Sequence, residues 1–341
     1  MADWLGGYSA GWDVYAVDQE TWADSSKVDG IMSVSIARDG TDDTPLLETG
    51  TMQCDGEAPF EWSWCRIYMR AEQDGAESVP MATLLFERGK ETTAHRSPIT
   101  ELRGRSVLQP VADRKLARGL YAASGIDGAA YAGRLLEACT PAPVVVEGSF
   151  TLVDDLVFDL GASYLSAVWQ LVNAANWCVQ IGGDGTIYVR EKPTEPALEL
   201  DRAHAGLLIP GVDMTLDLTE VPNRYIAVDN GKVATAENDD VDLPASYARR
   251  GRWVETVDSS PTRIDGETLD GYAQRMLAEA STVVREYSYT REWWPEVMPY
   301  SLVRATLSEH GIQGDLRVVK QDLTCGKGVT VSETAWQEVR V

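Results

Sequence analysis

The stretch Glu237-Asn238-Asp239-Asp240-Val241-Asp242 places several hard oxygen ligands close together. Carboxylate and amide oxygens are the ligands that Ca²⁺ prefers, so this loop is the first candidate for a metal site. It lacks the twelve-residue ligand spacing and the terminal glutamate of a calcium-binding loop. A solvated acidic loop is therefore the favoured interpretation, and calcium binding is the alternative.

Two tryptophan pairs, Trp62/Trp64 and Trp293-Trp294, could stack on sugar rings. The first pair belongs to a run of every second position, which predicts that its members share one face of a strand: Phe60, Trp62, Trp64, Arg66 and Tyr68. Such a face fits a buried or interfacial surface better than a sugar platform. Carbohydrate binding or glycoside hydrolysis remains the alternative function, although no carboxylate pair can be singled out for it among 53 acidic residues.

Other catalytic patterns are missing from the sequence. The three histidines are far apart and are predicted to lie at the surface: His95, His204 and His310. The five cysteines form no Cys-x-x-Cys pair and are predicted to be reduced core residues: Cys54, Cys65, Cys139, Cys178 and Cys325. Gly326-Lys327-Gly328 is expected to be a hairpin turn rather than a phosphate loop, and Ser124-Gly125 lacks the pattern of a hydrolase nucleophile. We predict no catalytic residue, no cofactor and no metal.

The charge balance limits the classes of partner. The chain has 53 acidic and 30 basic residues, a formal net charge of −23, and so it should repel nucleic acid rather than bind it. For most of this charge the favoured explanation is an acidic surface that aids solubility. At 341 residues it is long enough for two to four domains. The N-terminus has neither the basic nor the apolar region of a signal peptide, and no apolar run approaches the ~20 residues that span a bilayer. Cysteine usage suggests assembly in a reducing cytoplasm.

The stretch Ser163–Glu191 combines two periodicities near the middle of the chain. Its first half carries an apolar stripe at helical spacing, and Ser163 is suited to cap the helix. From Trp177 the apolar residues alternate with polar ones, Gly182-Gly183-Asp184-Gly185 supplies a turn, and Thr186–Arg190 returns as a second strand. The stretch is thus predicted to be a helix followed by a β-hairpin.

The flanking sequence predicts an α+β fold that is mainly β. Residues 1–110 show strand patterns with little helical period and are expected to form a small β-barrel. Residues 111–204 are expected to form an α/β domain, with a helix at Asp127–Cys139 before the central stretch. Residues 205–341 return to β character, with a helix at 265–281 that Asp265 opens and a hairpin at the C-terminus.

A weak internal echo links the two β regions. The stretch Asp39-Gly40-Thr41-Asp42-Asp43-Thr44-Pro45 resembles Asp217-Leu218-Thr219-Glu220-Val221-Pro222, and each follows an alternating run. Short acidic turns are common, so chance is one explanation. The other is a duplicated β domain that is split by the α/β insert.

Together with Val221-Pro222-Asn223-Arg224-Tyr225-Ile226-Ala227-Val228, the central stretch resembles the baseplate hub, or tail-associated, proteins of tailed bacteriophages and related injection systems. Those proteins often carry a helix, a Gly-Asp-Gly hairpin, an arginine-bearing strand and a Val-Pro-Asn-Arg turn. Three further stretches look like the family: Thr21-Trp22 with Ile31–Arg38, Tyr272–Ser281 and the closing strands. The resemblance thus covers most of the chain through short motifs.

The resemblance implies two tail-tube-like barrels in each chain and a homotrimeric ring that matches the sixfold tail tube to a threefold fibre or spike. The partners it implies are further copies of the chain, the tail tube or distal tail ring protein, the tape measure protein, and a fibre or spike. DNA would only pass through the channel, and no stable membrane association is expected. The location it implies is the virion tail tip or baseplate, and the role is structural rather than enzymatic.

One departure from the longer relatives affects the expected role. Those relatives add peptidase, lysozyme-like or receptor-binding regions at the C-terminus, whereas this sequence ends at Val341, after the last predicted hairpin. Receptor recognition and wall digestion are therefore expected to belong to another protein. A sixfold distal tail ring protein is a third interpretation, which the central α/β insert disfavours.

Overall fold

A computed structural model describes residues 10–41, 46–71, 78–94, 97–201, 208–264, 266–307 and 311–341. The helices of these residues are α1 (Gln109–Asp113), α2 (Gly128–Glu137), α3 (Tyr164–Ala174), α4 (Tyr247–Arg250) and α5 (Leu269–Ala280). The strands up to the central hairpin are β1 (Ala10–Val17), β2 (Asp24–Lys27), β3 (Ile31–Asp39), β4 (Glu48–Asp55), β5 (Trp62–Ala71), β6 (Ser78–Ala94), β7 (Ser97–Arg105), β8 (Leu120–Ala122), β9 (Val144–Glu147), β10 (Leu156–Phe158), β11 (Trp177–Ile181) and β12 (Ile187–Glu191). The remaining strands are β13 (Pro196–Leu200), β14 (Leu208–Thr215), β15 (Arg224–Asp229), β16 (Lys232–Glu237), β17 (Glu255–Asp258), β18 (Thr282–Glu292), β19 (Leu302–Leu307), β20 (Ile312–Cys325) and β21 (Val329–Arg340).

These elements confirm the predicted class, α+β and mainly β. By its internal contacts the chain divides into two compact units. Unit 1 comprises residues 1–212 and 288–335, and unit 2 comprises residues 213–287 and 336–341. The division into domains 1–110, 111–204 and 205–341 stays a prediction.

The large sheet of unit 1 joins strands from the two ends of the chain. Its order is β14-β18-β21-β20-β3-β4-β7-β6-β5-β1-β2, and β19 pairs with both β20 and β13. The join is the antiparallel pair of β3 with β20, in which Ser35 lies opposite Thr324 and Ala37 opposite Asp322. Strands β1–β7 and β18–β21 are therefore parts of one hydrogen-bonded sheet.

Alternation along β3 and β4 decides which face of this sheet is buried. Val34, Ile36 and Met52 are almost fully buried, whereas the residues between them are more exposed. Gly50 and Gly104 lie opposite each other on β4 and β7. A Cβ at Gly104 would lie 2.8 Å from the ring of Phe86, so this glycine leaves the space that the ring fills.

The α/β part of unit 1 has helices α2 and α3 beside the sheet β11-β12-β9. The side chain of Ser163 accepts a hydrogen bond from the amide of Ser166 and caps α3 as predicted; that of Asp127 accepts one from the amide of Ala130 and caps α2. Helix α3 ends before Asn176, whose φ is 57°. The hairpin β11–β12 then follows with Trp177 opposite Glu191, which confirms the predicted helix and hairpin.

In unit 2, helix α5 packs on the sheet β16-β15-β17. The core between them consists of small and aromatic residues: Tyr225, Ala227, Ala234, Ala236, Tyr272, Ala273 and Leu277. Thr268 caps the helix by accepting a hydrogen bond from the amide of Gly271. The helix therefore begins at Leu269 rather than near residue 265, and Asp265 itself lies outside the described residues.

Candidate functional site

The exposed face of the sheet around β3 is the candidate functional surface. Strands β20, β3, β4 and β7 line an open groove of about 440 Å³ there. The outward side chains of the two innermost strands are small: Ser35, Ala37, Thr49 and Thr51. The exposed side chains of the outer two strands are larger and charged or polar: Asp322, Thr324, Arg103 and Arg105. We call these eight residues the hydroxyl face.

Hydrogen bonds within this surface satisfy part of its polarity. The hydroxyls of Ser35 and Thr51 lie 2.6 Å apart across β3 and β4. On β7, Arg103 lies 3.7 Å from a carboxylate oxygen of Glu101, and Arg105 lies 3.7 Å from one of Glu87 on β6. Exposed ion pairs of this kind contribute little stability but neutralise one another locally. The hydroxyl face is thus polar, has small side chains at its centre and carries little net charge.

Near the β3–β20 pair, a network of buried polar side chains links strands β3, β4, β18, β20 and β21. Arg38 on β3 donates to Glu48 on β4 at 2.7 Å, and Arg291 on β18 donates to both carboxylate oxygens of Glu333 on β21. Gln321 on β20 accepts from Arg38 at 3.3 Å and donates to Glu333 at 2.6 Å. Removing one partner of such a network leaves an uncompensated buried charge, which is strongly destabilising.

Burial shifts the pKa of two groups in this region, Glu48 and Tyr289. Burial raises the pKa of Glu48, and the nearby Arg38 guanidinium opposes that shift. Burial also raises the pKa of Tyr289 well above its ordinary value, with the Glu333 carboxylate adding to the effect. Both shifts favour the neutral form because a buried charge has lost its hydration.

A second buried contact connects the central hairpin with the strands of unit 1. The carbonyl of Asp184 accepts from Trp22 Nε1 at 2.9 Å and from Arg66 at 3.0 Å. The Thr83 hydroxyl donates to the carbonyl of Gly183 at 3.0 Å. Arg66 also forms an ion pair with Asp24 at 2.8 Å. The Gly-Gly-Asp-Gly turn is therefore packed against β5 and β6.

The prediction that five alternating residues share one strand face is wrong in one respect. Strand β5 begins at Trp62, so Phe60 precedes it and packs with the core that contains Ile36 and Met52. Trp64 instead packs in the core of the α/β part and is 3% exposed. The irregular residues before β5 break the alternation on which the prediction depended.

The tryptophan pairs do not form the paired sugar platforms considered from sequence. Trp62 is 59% exposed, but its partner Trp64 is buried. Trp293 is buried, and the indole nitrogen of Trp294 is enclosed without a hydrogen-bond partner among the described residues. In both pairs, one ring is thus unavailable for stacking.

The acidic loop is held by local hydrogen bonds. The amide of Asp240 bonds to the Asn238 side chain at 3.2 Å, and the amide of Asp242 bonds to Asp240 at 2.9 Å. Within the described parts of the chain, no three His, Cys, Asp or Glu residues are grouped so that they could hold a metal ion.

Several other predicted residues can be placed. Four cysteines are buried, Cys139 is partly buried, and all five are free thiols. Burial raises the pKa of Cys65 and Cys325 to about 12, which disfavours the reactive thiolate. Gly326-Lys327-Gly328 is the turn between β20 and β21, as predicted. His95, His204 and His310 lie outside the described residues.

The two echo stretches share a local geometry at their start. The Asp39 carboxylate accepts from the amide of Thr41 at 2.9 Å, and that of Asp217 accepts from Thr219 at 2.8 Å. Both are turns in which an aspartate bonds to the backbone two residues ahead. Asp42–Pro45 lies outside the described residues, so the duplication itself stays a prediction.

An aromatic stack in unit 2 was missed from the sequence. The Arg224 guanidinium lies 3.9 Å from the ring centre of Trp253, and Tyr247 stacks on Trp253 at 4.2 Å. Arg224 also forms ion pairs with Glu237 and Glu255. The contributing positions span 29 residues of the sequence, from Arg224 to Trp253, and no short motif marks them.

The described residues form no helix that is long and apolar enough to cross a membrane.

In comparisons of sequence alone, the chain matches no family model and no curated protein. Its fold is similar to that of a tail protein from Neisseria meningitidis, with 15% identity, a TM-score of 0.63 and coverage of 97% of both chains. The 43 kDa tail protein of prophage MuSo2 from Shewanella oneidensis has 11% identity and a TM-score of 0.62, covering 97% of this chain and 98% of that one.

A third similar structure is the E. coli c3393 protein, a type VI secretion component described as structurally similar to the T4 tail proteins gp27 and gp5. It has 8% identity and a TM-score of 0.50, and the match covers 89% of this chain and 73% of that one. The resemblance inferred from short sequence motifs is therefore confirmed at the level of the whole fold: this chain has the fold of phage and prophage tail proteins.

Proposed function

We propose that the protein is a structural, non-enzymatic hub of a phage tail tip or baseplate. The observation that carries this proposal is the fold likeness to two tail proteins over 97% of the chain. In this proposal three copies form a ring that caps the tail tube. The ring adapts the sixfold symmetry of the tube to a threefold fibre or spike.

The pairing of β3 with β20 supports the proposed match between the sixfold tube and a threefold fibre or spike. Strands β1–β7 and β18–β21 would correspond to two tube-like barrels fused through β3 and β20. Three such chains present six barrels, and head-to-tail contacts can close three copies into a ring. The three sequence regions 1–110, 111–204 and 205–341 would then be the first barrel, the α/β insert and the second barrel region.

The hydroxyl face supports a role beside a passing genome. Its side chains are short and polar, and its two arginines each lie near a glutamate. Affinity for DNA depends on protein cations that pair with phosphates and so release the condensed counterions, and this surface offers few cations without a neighbouring carboxylate. The net charge of −23 adds long-range repulsion. We propose that this face lines the channel through which DNA passes.

The proposed partners and location follow from the same assignment. The ring would contact the tail tube or distal tail ring protein, the tape measure protein, and a fibre or spike. The protein would be assembled in the host cytoplasm and retained in the virion tail. An injection system other than a phage is included, because the type VI component shares the fold.

The mass of the purified chain in solution and its position in tails test this proposal. We expect a trimeric mass by light scattering at micromolar concentration. Antibody labelling of purified tail particles should mark one end of the tube, where class averages should show threefold symmetry. A chain that stays monomeric and is missing from tail particles contradicts the proposal. Unlabelled tubes from a strain that lacks the gene provide the control.

A further inference from the structure

Strands β8 and β10, and the residues beside β10, carry exposed apolar side chains that are not part of a hydrophobic core. Val157 lies directly opposite Tyr121 in this two-stranded sheet. These two side chains, with Val153 and Leu160, are between 58% and 83% exposed. Tyr121 and Val157 are neighbours across the two strands, and Val153 and Leu160 lie within three residues of β10; large exposed apolar patches mark contacts with other molecules.

Unpaired carboxylates surround this apolar surface. Asp154 and Asp159 are exposed and have no cationic partner among the residues that the structure describes. Asp155 accepts hydrogen bonds from the amide of Ser124 and from Tyr121, which lower its pKa and keep it ionised. We define the acidic–apolar patch as Tyr121, Val153, Asp154, Val157, Asp159 and Leu160. Its partner must supply apolar contact and positive charge.

Unit 2 carries a surface of the opposite character. Arg249 and Arg252 are exposed and have no carboxylate partner within the described ranges, although the chain has a large excess of acids. Tyr247, two residues before Arg249, stacks on Trp253, which follows Arg252 in the sequence. We define the basic–aromatic patch as Tyr247, Arg249, Arg252 and Trp253.

The aromatic stack gives this second surface a fixed shape. Arg224 lies 3.9 Å from the ring centre of Trp253, and the Tyr247 ring stacks nearly parallel to it, so both groups hold the Trp253 side chain in place. Neighbouring Arg250 points inward and donates to the carbonyls of Val221 and Leu218. Arginine, tyrosine and tryptophan are the residue types that contribute most energy at protein interfaces.

We propose that the acidic–apolar patch of one copy binds the basic–aromatic patch of a second copy of this chain. The argument is charge complementarity: among the described residues, one surface has carboxylates without a cationic partner around apolar groups, and the other has guanidinium groups without a carboxylate partner beside aromatic rings. The Arg249 guanidinium donates only to a neutral group, the carbonyl of Val241. Because the two patches differ, the contact is head-to-tail, and such contacts can close into a ring. This inference rests on the proposed ring of copies and names the surfaces that form it.

Charge reversal tests the contact. Variant A carries Asp154→Arg and Asp159→Arg, variant B carries Arg249→Glu and Arg252→Glu, and a third chain carries all four changes. We expect A and B each to dissociate at least about tenfold more readily than the unmodified chain in light scattering, because like charges then face each other. The chain with all four changes should recover much of the association, since the charges are again complementary. Glu20→Arg with Glu57→Arg, which changes the net charge as variant A does, should leave the mass unchanged.

A second measurement isolates the apolar part of the contact. Val157→Ser with Leu160→Ser changes no charge and should also weaken association, while circular dichroism remains that of the unmodified chain. Rising salt should weaken the association of the unmodified chain, because salt screens the attraction between the two patches.

If the unmodified chain is trimeric and variants A and B remain equally trimeric, this contact is wrong but the proposed ring stands. If the unmodified chain is monomeric, both are wrong. If A and B remain trimeric but fail to enter tails, the patches bind another protein, and the inference is overturned.

Discussion

Two glycine-containing hairpin turns in unit 1 look similar in sequence and are held very differently. The turn Gly182–Gly185 is enclosed: a Cβ at Gly183 would lie 1.9 Å from the carbonyl oxygen of Pro80 on β6. The turn Gly326–Gly328 is open, and a Cβ at either glycine would have no atom within 4 Å. The first turn is part of the packing between the α/β region and the large sheet, whereas the second reverses the chain without close packing and accepts a hydrogen bond from Trp12.

The difference shows that a glycine can be required for two separate reasons. Gly185 has a φ of 83°, which few other residues adopt without strain. Gly183 has no such backbone requirement, and only the approach of β6 excludes a side chain there. The sequence Gly-Gly-Asp-Gly therefore combines a turn requirement with a packing requirement.

Gly183→Ala should have the largest effect of the substitutions that probe this comparison. The added methyl would overlap the backbone of Pro80, which cannot rotate away as a side chain could. We expect a loss of about 3 kcal/mol in the free energy of unfolding, as for other overpacked cores. Urea unfolding followed by tryptophan fluorescence measures it. A loss below about 0.5 kcal/mol would show that the turn can move away from β6.

Arg66→Met should have the next largest effect on the same contact. Arg66 is buried and donates to the carbonyls of Trp22 and Asp184, to Thr83 and to the carboxylate of Asp24. Methionine keeps much of the apolar stem but removes all of these hydrogen bonds, and the Asp184 carbonyl keeps its bond from Trp22 Nε1. We expect a loss of about 2 kcal/mol by the same urea titration, typical of lost hydrogen bonds to a charged group.

A matched control for this substitution is Arg88→Met on β6. Arg88 is partly exposed, and its ion pairs with Glu61 and Glu91 lie at the surface. Exposed ion pairs contribute little, so we expect the unfolding free energy to change by less than about 1 kcal/mol. Equal losses in the two variants would contradict the assigned importance of burial at Arg66.

The sequence predicts the local parts of this comparison well. The cap at Ser163, helix α3, strands β11 and β12, and both turns depend on residues within a few positions of one another. Their apolar periodicity and turn residues are therefore visible in a short window.

The sequence does not predict which strands pair. It therefore does not predict which residues come together on the hydroxyl face. Arg38 and Gln321 bond across a separation of 283 residues, and no pattern in either segment specifies the other. The alternation in β3 shows that Ser35 and Ala37 share a face, but only the pairing with β20 brings Asp322 and Thr324 beside them. The arginines that pair with Glu48 and Glu333 likewise look like ordinary surface residues until their strands are placed.

Gly326→Ala should have the smallest effect and completes the comparison. Its backbone does not adopt a positive φ, and a Cβ there meets no atom within 4 Å. Its carbonyl accepts a hydrogen bond from Trp12 at 2.9 Å, which alanine would keep. Alanine also restricts the unfolded chain, so we expect a change between zero and a gain of about 1 kcal/mol in the free energy of unfolding. A loss as large as that of Gly183→Ala would mean that the cost of replacing these glycines comes from the hairpin itself and not from packing against β6.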